Sequence, residues 1–238
     1  MEPVHGDRLA GRIADNVARV RERIVVAAQT TGRSPDEVTL VAVTKTRPLD
    51  EIRAAYRAGV WHLAENRVEE AEEKRPQIEL QGVTWHLVGH LQRRKAPRAV
   101  GLFDRVDSVD SARLARRLDA LAEEQGRVLP VLIEVNVSGE ESKYGLALSD
   151  RGALGAAVAE IVSLPNLDID GLMTVAFIAQ DPEEVRPVFA GLRELRDELR
   201  GQFPQCSWRH LSMGMSDDYP VAVQEGATMV RIGRALFS

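Results

Sequence analysis

The chain has 238 residues, 44% of them hydrophobic and 28% charged, with a formal net charge of −5. That length and apolar content suffice for a full-size core, and the acidic balance gives no reason to expect nucleic acid or an anionic membrane as partner. The single cysteine, Cys206, excludes an intrachain disulfide framework and a zinc cluster, and 5% aromatic residues argue against base-stacking platforms.

The first six residues lack the basic start and apolar region of a secretory leader, and no apolar run approaches bilayer length. A soluble, cytoplasmic protein is the expectation. Leu9, Ile13, Val17, Val20 and Ile24 recur at steps of three and four, which predicts an amphipathic helix over residues 8–30, stopped by Gly32. Ser34 and Glu37 around Pro35 suit a short capped turn. Val38–Thr44 then reads as a strand buried on both faces and ending at Lys45.

Seven further strands are expected at Val60–Ala64, Val83–Val88, Phe103–Asp107, Val128–Val137, Leu167–Val175, Ser207–Ser212 and Thr228–Ile232. Helical patterns separate them at 50–58, 67–75, 91–100, 111–125, 150–163, 182–201 and 217–225, with Gly126 and Pro182 among the clearest stop and start signals. Cys206 opens an apolar segment and reads as a small core residue. Strands alternating with helices predict an α/β fold, a single (β/α)8 barrel over residues 1–238 with an extra N-terminal helix. An open doubly wound sheet is the competing architecture. The strand count and the lack of a glycine fingerprint after the first strand favour the barrel.

In a barrel the carboxyl ends of the strands share one face, where active sites lie. The residues expected there are Lys45, Glu65, Asn66, Gly89, His90, Ser108, Asn136, Thr174, Ser212 and Gly233. So many polar or small residues point to a shared pocket. Lys45 stands out, since a lysine partly withdrawn from water at a strand end presents a nucleophilic amine to a carbonyl. A lysine reaching from a strand end to solvent is the plainer alternative.

Ser212-Met-Gly-Met-Ser216 precedes a helix, and Gly233 and Arg234 follow the last strand. These two loops suit a phosphate, with hydroxyls from Ser212 and Ser216 and backbone N–H groups from Gly233 and Arg234. The same residues also suit tight turns and a helix cap. Alternation puts Arg231 on one face with Gly233. If that face is inward, its guanidinium needs a buried acceptor. A pyridine nitrogen would serve, left unprotonated because arginine does not give up its proton. A salt bridge at the barrel end would serve as well. Together these features point to pyridoxal 5'-phosphate held as a Schiff base on Lys45.

Several segments resemble the pyridoxal phosphate homeostasis proteins: Leu40–Thr46, Glu65-Asn66, Trp85–Gln92, Asp107–Asp110, Glu134–Asn136 with Lys143–Gly145, Gly171–Met173, Leu211–Asp217 and Gly226–Phe237. The resemblance covers essentially the whole chain. It implies a fold-type III, alanine racemase-like barrel with pyridoxal phosphate on Lys45. It also implies phosphate contacts from Ser212, Ser216, Gly233 and Arg234, Arg231 facing the ring nitrogen, and Asn66 and His86 lining the ring. It further implies a monomer or weak dimer serving vitamin B6 and amino-acid homeostasis, with apo pyridoxal phosphate enzymes as partners and no established catalysis. Leu63-Ala64, Arg94-Lys95, Val175–Phe177, Tyr219-Pro220 and Ser238 depart from the usual pattern without touching an expected contact.

Two other functions compete. A pyridoxal phosphate-dependent racemase needs an acid/base group on each face of the substrate carbon. Lys45 serves one face. With no second domain expected after the last strand, only Tyr144 and Tyr219 lie in loops that reach the rim. The third reading, a barrel for some other phosphorylated metabolite, makes Lys45 dispensable. Lys143, after the fifth strand, is a candidate for passing cofactor on; a salt bridge to Glu140 or Glu141 explains it equally.

Overall fold

Eight parallel strands close on themselves in the computed structural model, which describes residues 3–238. The opening residues Met1 and Glu2, part of the stretch read above as no leader, lie outside the described residues. The strands are β1 (Thr39–Val43), β2 (His62–Glu65), β3 (Thr84–Leu87), β4 (Arg105–Val109), β5 (Leu129–Asn136), β7 (Leu167–Met173), β8 (His210–Ser212) and β9 (Met229–Ile232), with β6 (Leu146–Ala147) a short addition beside β5. Each pairs in parallel with the next, and β9 pairs with β1 to close the ring. The helices are α1 (Pro3–Gln29), α2 (Leu49–Arg57), α3 (Val68–Lys74), α4 (Ala96–Leu102), α5 (Ala112–Glu124), α6 (Arg151–Ile161), α7 (Arg186–Gln202), α8 (Tyr219–Gln224) and α9 (Arg234–Phe237). The expected barrel and extra N-terminal helix are both present.

Strand alternation divides the apolar residues into two cores. The outer core, between strands and helices, takes most of them, including Leu63, Leu87, Val106 and Leu211. The inner core is small: Val41, Ala64, Leu132, Met173 and Met229, with Val43 and Val88 packed against it. Ile13, Val17, Val20 and Ile24 of α1 are buried as the periodicity predicts, against α2, α8 and α9. Asn16 Nδ2 donates to Leu236 O at 2.8 Å, tying the last turn of chain to α1. Ser34 and Glu37 form the expected capping box.

Several boundaries move for local reasons. The fourth strand begins at Arg105, because Phe103 closes α4 and is buried in the outer core. The seventh expected strand begins at His210 instead of Ser207, because Trp208 takes φ +45°, which no strand accommodates. Pro97 is accommodated only in the first turn of a helix, so the basic segment 91–100 splits into a 3-10 turn, Arg93–Lys95, and α4. Pro187 likewise shifts the start of α7 to Arg186, after the capped turn Pro182–Val185. Cys206 packs half-buried against the outer core. Among the described residues, no helix is long and apolar enough to cross a membrane.

A polar chain crosses the barrel interior. His62 Nδ1 lies 3.0 Å from His86 Nε2, and His86 Nδ1 lies 2.7 Å from Asp107 Oδ2. Arg105 Nε donates to Asp107 at 2.6 Å and its Nη1 to Asp170 at 3.2 Å. Asp170 also accepts from Ser207 Oγ at 2.7 Å and stands 3.3 Å from His210 Nε2. Burial opposes ionisation of Asp107, but Arg105 and His86 outweigh it and hold the carboxyl below its usual range. Burial and the neighbouring His86 lower His62 to about 4. Such a network is costly to break, since each removed partner strands a buried charge.

Candidate functional site

Three strand ends meet where the sequence places the site. β9 lies between β8 and β1, so the loops after all three adjoin. Gly233 stands against β1: a Cβ there would lie 3.4 Å from Val43 O, two residues before Lys45. Val41 and Val43 face the barrel interior, and alternation continues that row to Lys45. Lys45 itself is exposed, in a turn closed by Thr46 at φ +60°. This corrects the expectation of a partly desolvated ammonium. The strand ends at Val43, the last fully buried side chain is Thr44, and the turn lifts Lys45 above that layer.

Arg231 is buried inside the barrel at 5% exposure, as alternation requires. Its Nη1 donates to Ser212 Oγ at 2.8 Å and its Nη2 to Thr174 O at 2.8 Å. Burial lowers its pKa, against the attraction of Asp107, Glu134 and Asp218. Among the described residues no carboxylate approaches it within salt-bridge distance, so the alternative of a salt bridge at the barrel end gives way to a hydroxyl and a carbonyl. Ser212 is the last residue of β8 and fully buried. Its hydroxyl oxygen accepts from Arg231 and keeps its own proton to donate.

The two loops expected to hold phosphate face each other. Ala235 N donates to Ser216 Oγ at 3.1 Å, joining the β8 loop to the start of α9. The backbone N–H groups of Gly233 and Arg234 make no hydrogen bond among the described residues. The exposed Arg234 side chain pairs with Asp217 across the same gap. Gly214, at φ +95°, lets the β8 loop fold tightly: a Cβ there would sit 2.6 Å from Ala222 Cβ. Met215 N donates to Asp218 Oδ1 at 2.6 Å and fixes the loop's exit into α8.

Asn66 follows β2 and is half-buried. Its backbone is pressed against Gly89, where a Cβ would lie 2.8 Å from Asn66 Cα. His86 lies deeper, fully buried, with both ring nitrogens committed to His62 and Asp107. It can offer a bound ring only a face. Glu65 leaves the expected rim set altogether. Alternation turns it outward, where Oε1 accepts from Thr44 Oγ1 at 2.6 Å and from Lys74 Nζ at 2.8 Å. Ser108 lies within β4 and donates to Gly89 O at 2.7 Å, and Asn136 Nδ2 binds Glu140 O at 2.8 Å, shaping the β5 loop. Both serve the frame of the mouth.

The β5 loop reaches across the mouth. Tyr144 stacks on His90 with ring centroids 3.8 Å apart, and His90 Nδ1 lies 2.7 Å from Asp110. Lys143 pairs with Glu140 and lies 6.0 Å from the Phe177 ring centroid, so the ion-pair explanation of Lys143 holds. A hollow of about 740 Å³ opens between this loop and the loops after β7 and β8, lined in part by Lys143, Phe177 and Met215. Tyr219 is 1% exposed and packs against Arg23 of α1, so it does not reach the rim.

Glu134 has no role legible in the sequence. It is buried on β5 at 7% exposure, with Oε2 unpartnered among the described residues. Burial, with Asp110 adding to it and Arg231 opposing, pushes its pKa up to about 7. The interior network was also missed. Arg105 and Asp107, two apart in a strand whose Val106 is apolar, were the signal available for it.

The residues present fit a phosphorylated aldehyde. A primary amine, a phosphate cradle with unused N–H groups, and a buried guanidinium beside an unpartnered carboxyl share one mouth.

The family model for the alanine racemase N-terminal domain matches residues 12–238. The pyridoxal phosphate homeostasis protein of Aquifex aeolicus is 40% identical over 223 residues, covering 94% of this chain and 96% of the relative. That of Escherichia coli K12 is 41% identical over 231 residues, covering 94% and 95%. The structure of PipY from Synechococcus elongatus with PLP bound aligns with TM-score 0.83 at 40% identity, over 95% of this chain and 100% of PipY. Alanine racemase of Clostridium difficile shares the fold at TM-score 0.68 and 15% identity, over 91% of this chain and 58% of the racemase.

Proposed function

We propose that this chain, which belongs to the family of pyridoxal phosphate homeostasis proteins, binds pyridoxal 5'-phosphate in the barrel mouth and serves its intracellular homeostasis. The observation that carries the reading is the contact of Gly233 with Val43, which brings the phosphate-type loops beside the strand that ends in Lys45.

Lys45 supplies the amine for a Schiff base to the cofactor aldehyde. Its exposure suits loading and release, since cofactor reaches it without a conformational gate. Ser216 and the N–H groups of Gly233 and Arg234 hold the phosphate, with Ser212 donating its free proton from below. Arg231 faces the ring nitrogen, held in place by Ser212 and Thr174. Asn66 lines the ring edge, and His86 supports it from beneath. Pyridoxal phosphate supplies an electron sink for reactions of amino acids when bound, and a guanidinium at the ring nitrogen keeps that sink weak.

The protein acts as a cytoplasmic monomer or weak dimer that carries cofactor for apo-enzymes, without a catalytic activity of its own. A racemase needs a second acid/base group over the mouth. Tyr219 is buried away from it and Tyr144 is stacked on His90, which supports the carrier reading.

The test is the visible absorption spectrum of purified protein with pyridoxal phosphate, wild type beside Lys45→Ala. A Schiff-base band in wild type, removed by borohydride and missing in the variant, is expected. No band in wild type at saturating cofactor would overturn the assignment. Alanine racemisation by wild type that Tyr144→Phe abolishes would replace the carrier with the enzyme.

A further inference from the structure

Five arginines converge on one hollow outside the barrel. Arg93 and Arg94 come from the 3-10 turn before α4; Arg113, Arg116 and Arg117 come from α5. The hollow measures about 540 Å³. Its apolar lining is confined to Pro97 and Ala120.

The charge in it is poorly compensated. Arg116 pairs with Glu160. Arg93, Arg94, Arg113 and Arg117 have no carboxylate within salt-bridge distance among the described residues. The neighbouring Arg98, just outside, pairs with Glu69 and Glu72. Acidic partners are therefore abundant nearby and absent from the hollow, in a chain whose net charge is −5. Arg113, Arg116 and Arg117 stand at i, i+3 and i+4, a spacing at which like charges weaken a helix. Fold stability does not account for this arrangement.

Guanidinium groups match phosphate oxygens with paired hydrogen bonds, and a dense cluster suits a ligand that concentrates negative charge in a small volume. Carboxylates spaced along an acidic peptide fit it less well. The hollow is too compact for the extended track that a nucleic acid needs. We propose that this hollow between the α4 and α5 segments is a binding site for a polyphosphate chain, separate from the barrel mouth. Arg93 and Arg94 grip it from one wall, and Arg113 and Arg117 from the other.

Both a free polyphosphate and a nucleoside triphosphate carry that chemistry. The test is calorimetric titration of the full chain with inorganic tripolyphosphate at low ionic strength, in wild type, Arg113→Ser/Arg117→Ser and Arg98→Ser. The expected result is saturable binding in wild type, unchanged in Arg98→Ser and at least about tenfold weaker in the double variant, with added salt weakening it. Loss of fewer than ten parts in affinity in the double variant would move tripolyphosphate elsewhere, including the mouth, and overturn the site. So would the absence of saturable heat in wild type. ATP binding as tightly as tripolyphosphate assigns the chain to a nucleotide; weaker ATP binding assigns a free polyphosphate. Hexaglutamate binding more tightly than either would overturn the phosphate chemistry in favour of an acidic peptide.

Discussion

Arg231 Nη1 donates to Ser212 Oγ across 2.8 Å, joining two neighbouring strands inside the barrel mouth. The second anchor, Thr174 O at 2.8 Å, comes from the end of β7. One guanidinium thus ties three consecutive strand ends together and aims a fixed positive charge at the cavity. Arg231→Met keeps much of the side-chain volume and removes all the donors. Its expected effect is twofold. Ser212 Oγ and Thr174 O lose a buried partner, costing about 1–3 kcal/mol in urea unfolding. Under the proposed assignment the Schiff-base absorbance also changes, because the ring nitrogen loses its neighbour. A variant with unaltered spectrum and cofactor affinity would place the ring nitrogen elsewhere.

Ser216 and Gly233 carry the proposed phosphate hold. Ser216→Ala removes a hydroxyl whose oxygen already accepts from Ala235 N at 3.1 Å, so the loop contact and a ligand contact are lost together. Cofactor affinity measured by absorbance titration is expected to fall about tenfold, in line with one lost charge-assisted hydrogen bond. Pyridoxal without its phosphate should bind wild type and variant equally. A variant that discriminates against both forms alike would show that Ser216 acts on the loop instead of the phosphate.

How far these features can be read from the sequence depends on how many residues each of them spans. The barrel follows from apolar runs of strand length separated by helical periods, and the inward turn of Arg231 follows from alternation with Val230 and Ile232. Both are short-range patterns. The partners of Arg231 are not, because they depend on the register between β9, β8 and β7. Lys45 shows the limit within one element. The pattern marks the strand's end but not the left-handed turn at Thr46, φ +60°, which leaves the lysine exposed. Glu65 was misplaced by one residue of phase, enough to turn it from the mouth to Lys74 on the outer face.

Arg105 is the hub of the interior network, with Asp107 at 2.6 Å and Asp170 at 3.2 Å. Arg105→Met would leave two buried carboxylates without their common partner. The expected loss is about 3–5 kcal/mol of stability at neutral pH, with partial recovery on acidification as the carboxylates take up protons. Chemical denaturation at two pH values checks both parts. Equal losses at the two would mean that the carboxylates remain satisfied by other groups.

Gly214 predicts a steric effect close to the site. At φ +95° an alanine is strained, and its Cβ would meet Ala222 Cβ at 2.6 Å and Tyr219 Cα at 2.9 Å. Neither neighbour is a flexible side-chain end. Gly214→Ala should cost about 1–3 kcal/mol and loosen the β8 loop, lowering both the thermal midpoint and cofactor affinity. Gly201→Ala, at a helical position with open space, serves as the control and should lower neither.

Glu134 and His62 make opposing contributions to the pH dependence of the ligand-free protein. Burial, reinforced by Asp110, keeps the Glu134 proton in place up to about pH 7, whereas the ordinary value is 4.5. The folded state therefore holds a proton that the unfolded chain has released, and stability falls as pH rises from 4.5 to 7. Burial and His86 depress His62 from 6.5 to about 4, so the unfolded chain binds the extra proton and stability falls as pH drops from 6.5 to 4. In the shared window the two slopes oppose each other and nearly flatten the wild-type profile. Glu134→Gln removes one of them. Its stability should rise with pH across that window and exceed wild type above neutrality by up to ~3 kcal/mol. His62→Gln should show the reverse slope, because the Glu134 contribution then stands alone, and its gain over wild type at pH 5 is about 1–2 kcal/mol because this imidazole keeps part of its contact with solvent. Urea unfolding of the three proteins at pH 5, 6 and 8 measures the slopes. Parallel profiles for wild type and Glu134→Gln would mean that the Glu134 carboxyl ionises in the folded protein as it does in the unfolded chain.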